Sequence, residues 1–318
     1  MLESLKFVQG AVAKKEVVEG LTHFLIKDGV VKGFNGMIAL AAPIPLDIEC
    51  APLATPMVKA ITNCDDTVQL TLMSNGKLSI KAGGFRVAIP CTDKETPHVD
   101  PEGTLYEING EQLIQGIKSV EPVMGVDASR RWTCGMLISN GSIYATNNVI
   151  IAQYWFGSPF PLDCVIPSAA VKEILRIKEV PTHIQACENN MTFHYPSGRW
   201  LRTQLMAMDW PDVNRVLEVE SQPYGIDQAI FEGLDKIKPF AEEDPPRVYI
   251  EDGVMRTHYE PTEGAAFTIN DTQISGVFAI EMLSKLKGIA TTADLTRYPA
   301  PCTFFGENMR GVLMGVRL

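Results

Sequence analysis

Three dipeptides limit what this chain can fold into. Asp28-Gly29, Asn140-Gly141 and Asp252-Gly253 recur at a constant interval of 112 residues. Each sits between apolar runs: Phe24-Leu25-Ile26 and Val30-Val31, Met136-Leu137-Ile138 and Ile143-Tyr144, Val248-Tyr249-Ile250 and Val254-Met255. Asp-Gly and Asn-Gly accept positive φ at both central positions, as a two-residue hairpin requires. A second series falls between them. Asn75-Gly76 follows Val68–Leu72, Asn189-Asn190 follows His183–Cys187, and Glu307-Asn308 follows Thr303-Phe304-Phe305. A fixed long period means that one supersecondary unit is repeated.

Helical segments keep the same period. Phe7-Val8-Gln9-Gly10, Leu113-Ile114-Gln115-Gly116 and Ile230-Phe231-Glu232-Gly233 occupy one repeat position. Glycine inside a helix costs about 1 kcal/mol relative to alanine. Its presence in all three predicts that another element comes close there. A second helix is predicted at Leu53–Asn63, Ser168–Lys178 and Ala279–Gly288, and Val171, Ile174, Leu175 and Lys178 show the helical spacing. The expectation is an α+β chain of three repeated domains, 1–103, 104–220 and 221–318, each with two helices and antiparallel sheets.

The net charge of −10 argues against a nucleic-acid partner unless the basic residues gather on one surface. They are segregated by element. The helical segments 2–15, 52–63, 110–120, 168–178, 228–240 and 279–288 hold twelve basic residues against six acidic ones. If these helices face one way, they form an electropositive wall. Ordinary amphipathic helices with solvated lysines explain the same count.

Other function classes find little support. None of the seven cysteines lies in a C-x-x-C spacing or beside a histidine at ligand spacing, which favours free thiols in a reducing compartment. Met1–Lys6 lacks a signal-peptide layout, and no apolar run approaches roughly 18 residues. A cytoplasmic protein is expected. No phosphate-loop, nucleophile-elbow or zinc-protease motif occurs, and the histidines are scattered. Asp65-Asp66 and Glu242-Glu243-Asp244 read as a turn and a solvated loop. No metal, no cofactor and no enzyme activity are expected.

Several segments resemble the bacterial DNA polymerase III beta subunit, the sliding-clamp family. Arg130–Leu137 resembles the strand opening the first hairpin of the family's middle domain. Ala145-Thr146-Asn147-Asn148-Val149-Ile150-Ile151-Ala152 stands where that family has Ala-Thr-Asp-Gly-His-Arg-Leu-Ala. Val165-Ile166-Pro167 leads into the second helix of that domain. Trp210-Pro211-Asp212 with Arg215-Val216-Leu217 resembles its exit to the third domain, and Met314–Leu318 resembles the ending Met-Pro-Met-Arg-Leu. The departures are Asn148-Val149-Ile150 in place of Gly-His-Arg, Glu218 in place of a proline, and Ser168-Ala169 in place of a basic pair. They fit a divergent member, such as one encoded by a bacteriophage.

The resemblance implies the DNA clamp fold and a ring of two copies around duplex DNA. It implies a processivity factor that tethers a DNA polymerase, with a clamp loader as a further partner. The alternative is a clamp-fold decoy or adaptor that binds replication proteins without encircling DNA. By the same resemblance, the DNA-facing residues would be Lys14, Lys15, Lys59, Lys118, Arg130, Lys172, Arg176, Lys236 and Lys285. A groove for partner peptides would comprise Thr133, Thr146, Val149, Ile150, Ile151, Met314, Val316, Arg317 and Leu318.

Overall fold

The computed structural model describes residues 1–65 and 67–317. Asp66 and Leu318, named above in the acidic pair and the groove, lie outside the described residues. Seven α-helices occur among those described: α1 (Leu2–Val8), α2 (Ala54–Thr62), α3 (Gly110–Val120), α4 (Ser168–Ile177), α5 (Asn214–Leu217), α6 (Ala229–Ile237) and α7 (Ile280–Ser284). None is long and apolar enough to cross a membrane.

The hairpin turns have the backbone that their residues favour. φ is 51° and 70° at Asp28 and Gly29, 50° and 69° at Asn140 and Gly141, and 48° and 74° at Asp252 and Gly253. These are primed turns, whose twist matches that of the flanking strands. In the second series, Gly76 and Asn308 also have positive φ. The middle turn sits one residue earlier than expected, at Glu188-Asn189, because Asn190 already pairs with Cys187.

Each repeat carries two runs of three antiparallel strands. In the compact unit of Met1–Ile114 and Ile166–Ala207, Leu25–Lys27, Val30–Phe34 and Ile38–Pro43 form one run. His183–Cys187, Asn190–His194 and Trp200–Gln204 form another. The third strands of the two runs pair, from Trp200 opposite Ala41 to Thr203 opposite Ile38, within a seven-stranded sheet. The remaining run, Gln69–Leu72, Lys77–Ala82 and Phe85–Pro90, is a separate three-stranded sheet.

The unit of Gln115–Val165 and Met208–Leu318 follows the same rule. Gly135–Ser139, Ser142–Thr146 and Ile150–Trp155 join Thr292–Asp294, Cys302–Gly306 and Met309–Leu313 in an eight-stranded sheet. The joint is again third strand to third strand, from Ile150 opposite Leu313 to Tyr154 opposite Met309. Arg247–Glu251, Val254–Arg256 and Ala266–Thr268 remain apart, with Gly276–Ala279 at their other edge. Each compact unit therefore joins one whole repeat, the first or the third, to half of the middle one. The divisions expected at 103 and 220 follow the repeat, whereas the compact units follow the continuous sheets.

The helix glycines mark close approaches. A Cβ on Gly116 would lie 2.9 Å from Phe156 and Tyr154 and 3.0 Å from Ile143. One on Gly233 would lie 2.6 Å from Phe267, and one on Gly10 would lie 2.7 Å from Arg176. Helix ends differ from expectation at two places. α1 gives way after Val8 to a 3₁₀ turn, Gln9–Ala11, so Lys14 and Lys15 lie beyond it on an exposed segment. α7 ends at Ser284, leaving Lys285 as its C-cap. The seven cysteines are unbridged, and burial pushes the thiols of Cys50, Cys164 and Cys302 up to about 12, which leaves them protonated and inert.

In an ordinary helix interior, glycine to alanine stabilises. Here overpacking outweighs that gain, since the new methyl meets side chains on three sides. Gly116→Ala should lower unfolding stability by about 1–2 kcal/mol. Gly84→Ala, whose Cβ enters open space, should change it by less than about 0.5 kcal/mol. Urea denaturation monitored by far-UV circular dichroism measures both.

Candidate functional site

The joint between Ile150–Trp155 and Met309–Leu313 creates a groove. Beyond the last register pair, the Met314 amide donates to the Val149 carbonyl at 2.8 Å, which sets these two residues side by side. The turn leading into Val149 is held by side chains. Asn147 Oδ1 accepts from the amides of Val149 and Ile150, both at 3.0 Å. Thr146 Oγ1 donates to the Ile150 carbonyl at 2.8 Å and accepts from the Asn148 amide at 3.0 Å. Asn148 has φ of 73°, the left-handed region that asparagine tolerates, and its Oδ1 receives Trp132 Nε1 at 3.1 Å.

α5 supplies the opposite wall. Val213 and Leu217 bury against Tyr144, Ile151 and Val312, with Leu137 and Trp210 packed beside them. Val216, on the same short helix, stays 44% exposed. The result is an open groove of about 160 Å³. It is lined by Trp132, Thr146, Asn148, Val149, Ile150 and Ile151 on one strand side, by Pro211, Asp212, Val213 and Val216 from the α5 segment, and by Val312 and Met314. Asp212 is its one charged lining residue among those described, and its Oδ1 accepts from the Asn214 amide at 3.2 Å. Such a surface suits aliphatic or aromatic side chains of an extended peptide. The flexible thioether of Met314 adapts to different shapes.

Five of the residues expected in the groove therefore line it: Thr146, Val149, Ile150, Ile151 and Met314. Ile150 is buried to 1% exposure and serves mainly as floor, while Val149 is 38% exposed. Thr133, Val316 and Arg317 do not line it. Thr133 is buried, with its hydroxyl donating to the Arg130 carbonyl at 2.8 Å and Gly125 packed against its side chain. Val316 is drawn the other way, its amide bonding to the Val277 carbonyl at 2.7 Å and its carbonyl accepting from the Tyr298 hydroxyl at 2.8 Å. Sequence reasoning missed Trp132, Asn148, Val312 and the whole α5 wall. The signal for the wall was present in Val213, Val216 and Leu217, apolar at helical spacing directly after Trp210-Pro211-Asp212.

The expected DNA-facing residues divide into two groups. Lys14, Lys15, Lys59, Lys118, Arg130 and Lys172 are exposed, and their side chains form no ion pair among the described residues. The other three are engaged. Arg176 donates through Nε to Glu173 at 2.8 Å and through Nη2 to the Phe7 carbonyl at 2.8 Å, so it holds the end of α1. Lys236 pairs with Glu232 at 2.6 Å and lies over the Phe267 ring. Lys285 donates to the Pro122 carbonyl at 2.9 Å and lies 3.4 Å from Glu281. Cations at helix carboxyl ends satisfy orphan carbonyls and complement the helix dipole.

No protein-family model and no curated protein sequence matches the chain. Solved structures match along its whole length. A DNA polymerase III subunit beta sliding clamp from Pseudomonas aeruginosa, bound to griselimycin, superposes with a TM-score of 0.84 at 17% identity, over 100% of this chain and 97% of that one. The corresponding clamp from Bartonella birtlesii gives 0.83 at 17% identity with the same coverage. The chain has the sliding-clamp fold. The beta clamp of Helicobacter pylori gives 0.81 at 15% identity, again over 100% and 97% of the two chains. The likeness is one of fold at high sequence divergence, and these bacterial matches lend no support to a bacteriophage origin.

Arg176 and Lys172 lie on one helix but should respond differently to substitution. Arg176→Met leaves the buried Glu173 carboxylate without its partner and the Phe7 carbonyl uncapped, and should cost about 2 kcal/mol. Lys172→Met should cost less than about 0.5 kcal/mol. Chemical denaturation of the two variants measures the difference.

Proposed function

We propose that this chain is a sliding clamp: two copies pair head to tail into a ring that encircles duplex DNA and tethers a DNA polymerase. The observation that carries this reading is the pair of unmatched sheets in a full-length clamp fold. Four of the six three-stranded runs are joined in pairs, third strand to third strand. Two runs are left, ending in Phe85–Pro90 and in Ala266–Thr268, and both of these strands are sheet edges. Applying the same rule between copies pairs Phe85–Pro90 of one with Ala266–Thr268 of the other. That contact is heterologous, and its repetition closes a ring if the rotation closes. Unpaired edges invite such strand addition.

The ring reading gives the free cations a role. Lys14, Lys15, Lys118, Arg130 and Lys172 would supply a salt-sensitive attraction to phosphates without reading base edges, which permits sliding. The apolar groove beside α5 would take a short peptide of the polymerase or of the clamp loader. No chemistry is asked of the protein, which acts as a non-enzymatic processivity factor in the cytoplasm. The alternative, an adaptor with the clamp fold that binds replication proteins without enclosing DNA, draws on the engagement of Arg176, Lys236 and Lys285 in contacts within the chain.

The two readings part in a primer-extension assay on singly primed circular DNA with the cognate polymerase and loader. A clamp lengthens the products, and a protein that leaves product length unchanged is not one. Met314→Glu should abolish the gain by placing a carboxylate in the groove. Lys172→Glu should weaken DNA association at low salt and reduce the salt slope by about one or two phosphate contacts.

A further inference from the structure

The internal repetition says more about the seam between copies than strand pairing alone. The second helices align on their N-caps, Leu53, Pro167 and Ala279. Four residues past the cap stand Met57, Val171 and Leu283, and seven past it Ala60, Ile174 and Leu286, all buried. The register is therefore common to all three. Six residues past the cap stand Lys59, Glu173 and Lys285. The first helices align on Gly10, Gly116 and Gly233, and six residues past the last two stand Pro122 and Pro239.

Two of these second helices already meet a first helix from the preceding repeat. In α4, Glu173 lies against Gly10, and Arg176 binds the Phe7 carbonyl, with Glu173 and Arg176 bonded to each other. In α7, Lys285 donates to the Pro122 carbonyl in the 3₁₀ turn that extends α3, and Val123 beside it is fully buried. At both places a side chain on the second helix reaches the carboxyl end of the first helix of the repeat before it.

One helix of each kind is left over. α2 carries Lys59, exposed and without a side-chain hydrogen bond or ion pair among the described residues. α6 runs into the 3₁₀ turn Lys238–Phe240, where Pro239 matches Pro122 and Phe240 matches Val123. Phe240 is 59% exposed, although its counterpart Val123 has no exposure. An apolar ring therefore stands exposed at a position that is core in the preceding repeat, as the loss of a neighbour there would leave it.

We infer that Lys59 of one copy donates to the Pro239 carbonyl of a second copy, over the Phe240 ring, as the seam's equivalent of the Lys285–Pro122 bond. Lys59 is then a positioning residue of the ring rather than a DNA contact. This rests on the head-to-tail pairing proposed above, and the occupant of the Phe240 surface is a second copy of this chain.

Sedimentation velocity over a dilution series tests the assignment with wild type, Lys59→Met, Lys59→Arg and Phe240→Ser. Lys59 and Phe240 are exposed, so thermal melting of the diluted variants should match wild type. A charged hydrogen bond of this kind is worth about tenfold, and a ring closed by two such seams loses about a hundredfold in dimer affinity in Lys59→Met. Phe240→Ser should weaken the dimer likewise, and Lys59→Arg should keep most of it. The salt slope of DNA binding by assembled rings should be the same for Lys59→Met as for wild type. A dimeric wild type matched by an equally tight Lys59→Met overturns the seam assignment and leaves the ring reading standing. A wild type that stays monomeric at every concentration overturns the ring reading, and the seam with it.

Discussion

An antiparallel run of three strands leaves unpaired N–H and C=O groups along its outer strands, and a protein must pair, cover or blunt those edges. Four of the six third strands are covered by one device, the pairing of a third strand with another third strand. The groove depends on that device. Pairing Ile150–Trp155 with Met309–Leu313 ends at Ile150 opposite Leu313, and the next residues outward, Val149 and Met314, are thereby set together. The same joint in the other compact unit ends near Met37, which is 56% exposed. What distinguishes the groove is α5, which lays Val213 and Leu217 on Val312 and leaves Val216 facing out.

The joints also explain why a basic residue count misleads. Helix carboxyl ends that meet a neighbouring helix need a donor, and Arg176 and Lys285 fill that need at Phe7 and Pro122. These side chains are basic because of the helix they hold. Lys236 is neutralised by Glu232 one turn back. Charge that is free to attract phosphate resides mainly on Lys14, Lys15, Lys118, Arg130 and Lys172, fewer residues than the helices contain.

How much was legible follows from how local each feature is. The turns at Asp28-Gly29, Asn140-Gly141 and Asp252-Gly253 depend on two residues each and were read correctly together with their strands. The helix glycines announced close neighbours, though not which ones: side chains of its own repeat at Gly116 and Gly233, a buried carboxylate and an arginine from α4 at Gly10. Sheet joints were not legible, because strand pairing across more than a hundred residues leaves no periodic trace. Without the joint, Thr133 and Val316 could not be separated from Val149 and Met314, and the four-residue α5 was too short to register as a helix.

On the ring reading, the seam between copies would differ in kind from the joints within the chain. The internal joints match four and five residue pairs. Ala266–Thr268 offers three residues to Phe85–Pro90. Backbone pairing there would be the shortest of the three, and side chains would supply a larger share of the contact. On the ring reading this is a sensible distribution of strength. A closed ring admits DNA only by opening, and it should open where the fewest main-chain bonds must break. A seam held by an apolar ring and one flexible lysine would separate without unfolding either sheet, whereas parting the five-pair joint would destroy the groove proposed for a partner peptide.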